Sequence, residues 1–121
     1  MCRDDEIRLR HMLDAAREAL SFARGRTRDE LDRDRQLVLA LLKDIEIVGE
    51  AARQVGESTR QRLSEIPWER IVGMRNRLVH AYYDINLDIV WKTVREDLPE
   101  LIALLEPAVS TEPDPTRDEE P

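Results

Sequence analysis

The side chains best suited to chemistry lie in one stretch near residue 80. The chain has two histidines, His11 and His80. Only His80 has an arginine, an amide and tyrosines close by in sequence, since Arg75, Asn76 and Arg77 precede it and two tyrosines follow. An imidazole can transfer a proton near neutral pH, and a guanidinium can hold a phosphate group through two parallel hydrogen bonds. Together they suffice in principle for RNA cleavage without a metal.

In that reaction a base removes the proton of a ribose 2′-hydroxyl, and a donor stabilises the charge on the phosphoryl oxygens. His80 and Arg75 are the candidates for these two roles. Side chains five residues apart on a regular helix point about 140° apart. One helix therefore cannot direct both at the same phosphate, whereas a two-fold dimer could line a shared cleft with both copies.

Arg75 also has a structural interpretation. Read as one helix, residues 68–83 present an apolar stripe made of Ile71, Met74, Leu78 and Tyr82. Arg75 falls on or beside this stripe, where a cation is costly unless it is paired. Glu46 and Glu50, one turn apart on the preceding helix, could supply the partner. Arg75 would then be a buried brace, and His80 a surface histidine without a function.

Hydrophobic residues at three- and four-residue spacings predict the helices that position this stretch. The first stripe consists of Leu9, Met12, Leu13, Ala16, Leu20 and Ala23. Gly25 ends that helix, and Thr27 with Glu30 predicts a capping box that starts a short helical segment. The second stripe consists of Leu37, Val38, Leu41, Ile45, Val48, Ala52 and Val55. Gly56 is placed to end it in a left-handed conformation.

Asn86 can cap a last helix. Its stripe consists of Val90, Val94, Leu98, Leu101 and Leu105. Pro99 falls inside it and predicts a kink or a break into two pieces. From residue 107 onward, prolines, acidic residues, Ser and Thr leave nothing to bury, so residues 107–121 are expected to be a disordered tail. Residues 1–106 are predicted to be one all-α domain, an up-and-down bundle of about five helices.

Composition limits the possible functions. The chain has 26 acidic against 19 basic residues and a net charge of -7. Nucleic-acid binders are usually basic, so contact with RNA would need a local basic cluster or a surface shared by a dimer. Cys2 is the single cysteine, which excludes an intrachain disulfide and a cysteine metal cluster. With neither a membrane-length apolar run nor a signal-peptide pattern, a cytoplasmic location away from membranes is expected.

Three ordered blocks of the sequence resemble a known family. Arg75, His80 and Tyr82 fit the pattern R-x4-H-x-Y. The blocks are DIEIVGEAAR at 44–53, IPWERIVGMRNRLVH at 66–80 and DINLDIVWKTVREDLPEL at 84–101. Over roughly residues 5–106 the chain is similar to HEPN domains of the HepT type.

This resemblance implies a helical homodimer that acts as a metal-independent endoribonuclease toxin without a cofactor. It implies that Arg75 and His80 are the catalytic pair and that Asn76 is a supporting polar neighbour. It also implies a partner, the minimal nucleotidyltransferase antitoxin MntA, which AMPylates Tyr82. The added AMP would block RNA by its bulk and its negative charge. Tyr83 duplicates the phenol, so the assignment to Tyr82 depends on motif position.

Two alternatives stay open beside the toxin. One is a catalytically weak HEPN binding module that partners a nucleotidyltransferase, since an acidic chain suits a basic protein partner. The other is a plain helical scaffold. Alanine variants of His80 and Arg75 separate the toxin from the other two, because only a toxin would lose growth arrest. The binding module expects complex formation without cleavage.

Overall fold

In this computed structural model, residues 1–81 and 84–109 are described, with His80 and Ala81 described by their backbone. Their elements are α1 Arg3–Ala23, a 3-10 helix Arg28–Asp32, α2 Arg35–Arg53, α3 Glu57–Arg62, α4 Trp68–Val72, α5 Met74–Leu78, β1 Val79–Ala81, β2 Asp84–Ile85, α6 Leu87–Lys92, a π-helical turn Thr93–Asp97, α7 Leu98–Leu105 and a 3-10 helix Glu106–Ala108. The predicted all-α bundle is confirmed, with one short antiparallel hairpin of β1 and β2 added.

The two long helices α1 and α2 lie side by side and carry much of the core. Leu9 of α1 and Leu41 and Ile45 of α2 are fully buried, as the stripes predict. Gly25 ends the first helix with a φ of 73°, a conformation that glycine adopts at little cost. Asp34 begins α2 because its carboxylate accepts a hydrogen bond from the backbone of the first turn.

The left-handed conformation predicted for Gly56 is wrong. Gly56 has a φ of -71° and stands at the start of α3. Its amide donates to Asp5 Oδ1 over 3.1 Å, and the Thr59 hydroxyl donates to the other carboxylate oxygen. A Cβ at residue 56 would lie 3.4 Å from Asp5 Oδ2. That distance is an ordinary van der Waals contact, so Asp5 is held here by the backbone amide of Gly56 and the Thr59 hydroxyl.

The single helix predicted over residues 68–83 is also wrong. Gly73 separates α4 from α5, and the helix ends at Leu78 because Val79 adopts an extended φ of -125°. The Leu78 carbonyl accepts a 2.7 Å hydrogen bond from the amide of Asn86 instead of continuing the helix. Ile71, Met74 and Leu78 are buried as predicted. The angle that a regular helix would set between Arg75 and His80 therefore does not apply.

The C-terminal helix runs past Pro99 without the break into two pieces that was one of the two predicted outcomes. Asn86 caps α6 by accepting a hydrogen bond from Ile89 N over 3.1 Å. The backbone stays right-handed helical at Thr93 and Leu98, and the π-helical turn joins α6 to α7 directly before Pro99. Val109 is buried against the core, and the rest of the predicted tail, residues 110–121, lies outside the described residues. None of the described helices is long and apolar enough to cross a membrane.

Candidate functional site

An open groove of about 810 Å³ runs between α1, α2 and α5. Its polar lining residues are Arg8 and His11 of α1, Lys43, Glu46, Glu50 and Arg53 of α2, and Arg75 and Asn76 of α5. We call it the α1–α2–α5 groove. It contains Arg75, Asn76, Glu46 and Glu50 of the residues that the sequence selected.

One face of α2 supplies a wall of this groove. Lys43, Glu46, Glu50 and Arg53 follow one another at spacings of three, four and three residues, which places them on the same side of a helix. Gly49 lies on the side of α2 that meets α4, where a Cβ would come within 3.3 Å of the Ile71 carbonyl oxygen. The small residue lets α4 approach α2 closely, and α5 with Arg75 follows directly.

Arg75 pairs with Glu46, one of its two predicted partners. Arg75 Nε donates to Glu46 Oε2 over 2.8 Å. The predicted burial is wrong, because the two side chains are 48% and 39% exposed. The cause is the break at Gly73: α5 turns Met74 and Leu78 to the core and leaves Arg75 toward the groove.

The terminal nitrogens of Arg75 have no partner among residues 1–81 and 84–109, since its one described hydrogen bond uses Nε. This terminal edge is one that binds a phosphate through two hydrogen bonds. Asn76 is exposed beside it. The backbone N–H of Asn76 donates a hydrogen bond to the Gly73 carbonyl, which leaves the side-chain amide of Asn76 out of this bond. Arg75 can therefore keep its ion pair and still contact an anion.

The other predicted carboxylate, Glu50, has different partners. It accepts hydrogen bonds of 3.0 Å from Arg53 and Gln54. These bonds, chiefly the one from Arg53, lower the pKa of Glu50. Glu50 therefore stays ionised in the groove and compensates the charge of Arg53.

The remaining predicted site residues lie elsewhere. Arg77 donates to the Arg70 carbonyl over 3.2 Å and is not part of the groove lining. His80 lies in β1, two residues after α5 ends, so its position is set by the hairpin. Tyr82 lies outside the described residues.

The groove also contains cations that sequence reasoning missed. It has four lysine and arginine side chains against two glutamates, a formal excess of two positive charges in a chain of net charge -7. A local excess of positive charge is one of the two conditions under which the sequence allows contact with RNA. Arg8, His11 and Lys43 were passed over because they are distant in sequence from Arg75. The available signals were the three-residue spacing of Arg8 and His11 and the polar face of α2.

Comparison with known proteins identifies the family. Residues 12–108 match the family described as Ribonuclease HepT-like. The chain belongs to the HepT-like family. Within the described residues, no three His, Cys, Asp or Glu side chains are grouped as a metal site requires.

Individual relatives agree with this membership. The HepT-like chain is 31% identical over 99 residues to a protein of Methanocaldococcus jannaschii named as a candidate RNase, covering 82% of this chain and 91% of the relative. It is 32% identical over 93 residues to another candidate RNase, from Caldanaerobacter subterraneus subsp. tengcongensis, covering 77% and 83%. A protein of Thermococcus cleftensis named as a candidate ribonuclease HepT is 37% identical over 68 residues, covering 56% and 62%. No solved structure matches the chain.

The HepT-like match contains all of the α2 and α5 groove residues. It begins at residue 12, so Arg8 and His11 of the α1 wall lie outside it.

Proposed function

We propose that this HepT-like chain is an endoribonuclease toxin that cuts RNA with Arg75 and His80 and needs no metal for the reaction. The observation that carries the proposal is the free terminal edge of Arg75 in a groove with excess positive charge. The relatives named as candidate ribonucleases support the same substrate class.

The proposed reaction is a transesterification within the RNA chain. His80 removes the proton of a ribose 2′-hydroxyl, and the 2′-oxygen forms a bond to the adjacent phosphorus. The bond from that phosphorus to the 5′-oxygen of the next nucleotide breaks, and this oxygen takes up a proton. Arg75 stabilises the charge on the phosphoryl oxygens, and Asn76 helps to orient the phosphate. The products are a 2′,3′-cyclic phosphate and a 5′-hydroxyl end.

The proposed active unit is a homodimer whose two copies of Arg75 and His80 line one cleft. A dimer pools the positive charge of two grooves, which favours RNA binding by an acidic chain. Mixed dimers test this arrangement. If each site takes Arg75 from one subunit and His80 from the other, Arg75→Ala mixed with His80→Ala regains about a quarter of the parent activity after random reassociation. If both residues act within one subunit, mixing regains nothing.

The proposed partner is an MntA-like nucleotidyltransferase antitoxin that AMPylates Tyr82. The added AMP is expected to block RNA by its bulk and to repel the phosphates that Arg75 has to bind. Incubation with the antitoxin and ATP should add one AMP group to the parent and to Tyr83→Phe, and none to Tyr82→Phe. Addition to Tyr82→Phe, with none to Tyr83→Phe, would move the modification to Tyr83.

The first experiment compares growth after induced expression of the parent, Arg75→Ala and His80→Ala without antitoxin, each checked for folded protein. The proposal expects arrest and fragmented RNA with the parent alone. Purified parent should cut RNA equally well with and without EDTA, leave 2′,3′-cyclic phosphate ends and spare a 2′-O-methyl copy of the same RNA. Arrest by all three proteins would refute the catalytic pair.

A binding module without cleavage is the second candidate, and the net charge of -7 favours it because an acidic surface suits a basic protein partner. It expects no RNA fragments from any of the three proteins and a stable complex with the nucleotidyltransferase.

A further inference from the structure

Two walls of the groove hold three groups that could bind an anion. Arg8 and His11 lie three residues apart on α1, and Lys43 begins the polar face of α2. Within residues 1–81 and 84–109 the side chains of these three residues make no ion pair or hydrogen bond. Arg8 Nε is closed off from solvent, so an anion in the groove would meet Arg8 at the terminal nitrogens of its guanidinium.

The other two cations of the groove are compensated by carboxylates. Arg53 contacts both carboxylate oxygens of Glu50 at 3.0 Å, and Arg75 contacts Glu46. The uncompensated positive charge of the groove therefore lies at Arg8 of α1 and Lys43 of α2. A groove of about 810 Å³ has room for more than one phosphate group, so the α1 side and Arg75 can be occupied together.

We propose that Arg8, His11 and Lys43 form a second phosphate-binding subsite. It binds the phosphodiester of a nucleotide next to the one cleaved at Arg75, on single-stranded RNA. The inference rests on the proposed ribonuclease function and adds a role for the α1 wall in positioning the substrate. Arg75 acts on the reacting phosphate, whereas the three subsite residues hold the strand.

The test measures binding of a 2′-O-methyl RNA oligonucleotide, which cannot undergo the cleavage reaction, at several salt concentrations. The variant is the double substitution Arg8→Gln/Lys43→Gln. The matched control is Arg33→Gln/Arg35→Gln, which removes two positive charges from exposed residues outside the groove. Loss of the one phosphate contact that the subsite makes should reduce the slope of log K against log salt by about 0.7. The control should keep the slope of the parent.

Cleavage assays separate the subsite from the catalytic pair. Arg8→Gln/Lys43→Gln should raise KM and leave kcat at saturating RNA within about twofold of the parent, because the lost contacts hold substrate and transition state equally. Arg75→Ala should lower kcat. If the parent and both catalytic-pair variants release no RNA fragments, the proposed function fails. If Arg75→Ala and His80→Ala both cleave normally, only the catalytic pair is refuted. In either case the oligonucleotide slopes still decide whether the subsite exists.

Two results would overturn the subsite. One is an equal change in salt slope for the groove variant and the control, which would reduce the effect to net charge. The other is a polyglutamate peptide that competes with an oligonucleotide of equal length at similar concentration, which would make an acidic protein segment the occupant. Lys43→Gln alone changes an exposed side chain. It guards against misfolding and should lower the slope by at most about 0.7, because Arg8 still faces the same phosphate.

Discussion

Arginines occur in two different settings in this bundle. In the first, here called the Arg26 corner, Arg26 Nε contacts Glu30 at 3.0 Å and a terminal nitrogen contacts Asp34 at 2.6 Å. In the α1–α2–α5 groove, Arg75 contacts Glu46 through Nε alone. Arg26 therefore uses both Nε and a terminal nitrogen in ion pairs. Arg75 uses Nε alone, and its terminal nitrogens have no partner among the described residues.

The difference separates a brace from a binding group. At the Arg26 corner the two carboxylates raise the pKa of Arg26, while the pKa values of Glu30 and Asp34 are lowered, chiefly by backbone hydrogen bonds. These charges satisfy one another and link the 3-10 helix to the start of α2. In the groove a terminal edge is available for an outside anion. The charge of an arginine alone is thus a weak guide to its function. Hydrogen-bond donors without a partner in the protein indicate which arginine can bind a ligand.

The largest expected effect comes from removing the free edge. Arg75→Ala should lower the kcat for RNA cleavage about 10²- to 10³-fold, as loss of one transition-state donor does in other enzymes. Arg26→Ala is the matched control, and its kcat should equal that of the parent. Single-turnover cleavage of a short RNA measures both. Equal losses in the two variants would abolish the distinction between the two settings.

The second effect concerns how the free energy of unfolding depends on pH through Asp44, a buried carboxyl group without a cationic partner. Asp44 of α2 is 1% exposed, and its Oδ2 has no hydrogen-bond partner within the described part of the chain. Burial, then a hydrogen bond with Glu18 and the charge of Glu18, raise the pKa of Asp44 to about 7. The ionised form is therefore unfavourable in the folded state.

A raised carboxyl pKa makes the free energy of unfolding fall as pH rises from about 4, where the unfolded chain titrates, to about 7. Asp44→Asn should remove this loss and increase the free energy of unfolding by about 1–3 kcal/mol at about pH 8, with little change near pH 4. Urea unfolding at both pH values measures it, with the exposed Asp14→Asn as control. A gain for Asp44→Asn of the same size at both pH values would exclude titration as the cause.

A smaller effect is expected in the stability of the brace. Arg26→Ala should lower Tm at low salt, and the difference from the parent should shrink at high salt because the pair is partly exposed. Arg75→Ala should change Tm less, since Arg75 has one carboxylate contact and Arg26 has two. Thermal melts of both variants at two salt concentrations test the order. A larger loss for Arg75→Ala would make the groove arginine the stronger brace.

The smallest effect is expected at Glu46. Glu46→Gln keeps the shape of the side chain and a hydrogen-bond acceptor for Arg75 Nε, so kcat should change by about two- to fivefold at most, the range of an exposed ion pair. Glu50→Gln, which affects Arg53 instead, is the matched comparison. A loss from Glu46→Gln as large as that from Arg75→Ala would show that the pair acts as one unit.

Sequence patterns predicted the long helices well because periodicity over many residues averages out local exceptions. Every member of the α2 stripe from Leu37 to Val55 is buried, and Asn86 caps α6 as expected. The pairing of Arg75 with Glu46 was also within reach, because an arginine beside an apolar stripe needs a partner. The predictions that failed concern the ends of short segments, because a single hydrogen bond or contact decides where such a segment ends.

The failures have local causes. The sequence did not predict the end of the helix at Leu78. The Leu78 carbonyl accepts its hydrogen bond from the amide of Asn86, eight residues later, and helical periodicity does not report such a contact. Gly56 was misread because its partner Asp5 lies 51 residues earlier in the sequence. His11 was set aside because it lacks the amide and the tyrosines that accompany His80 in sequence, although the fold places it in the same groove as Arg75. Contacts between residues far apart in sequence leave no periodic signal.

The hydrogen bond between the Leu78 carbonyl and the Asn86 amide has a consequence for folding cooperativity. Leu78 is fully buried, whereas Val79 and Ile85 of the hairpin are only half-buried. Within the described residues, this bond ties the half-buried pair Val79 and Ile85 to the fully buried Leu78. Asn86 also caps α6, so the same residue holds the start of that helix and the end of the hairpin whose first strand contains His80. These parts are therefore expected to unfold together with the bundle.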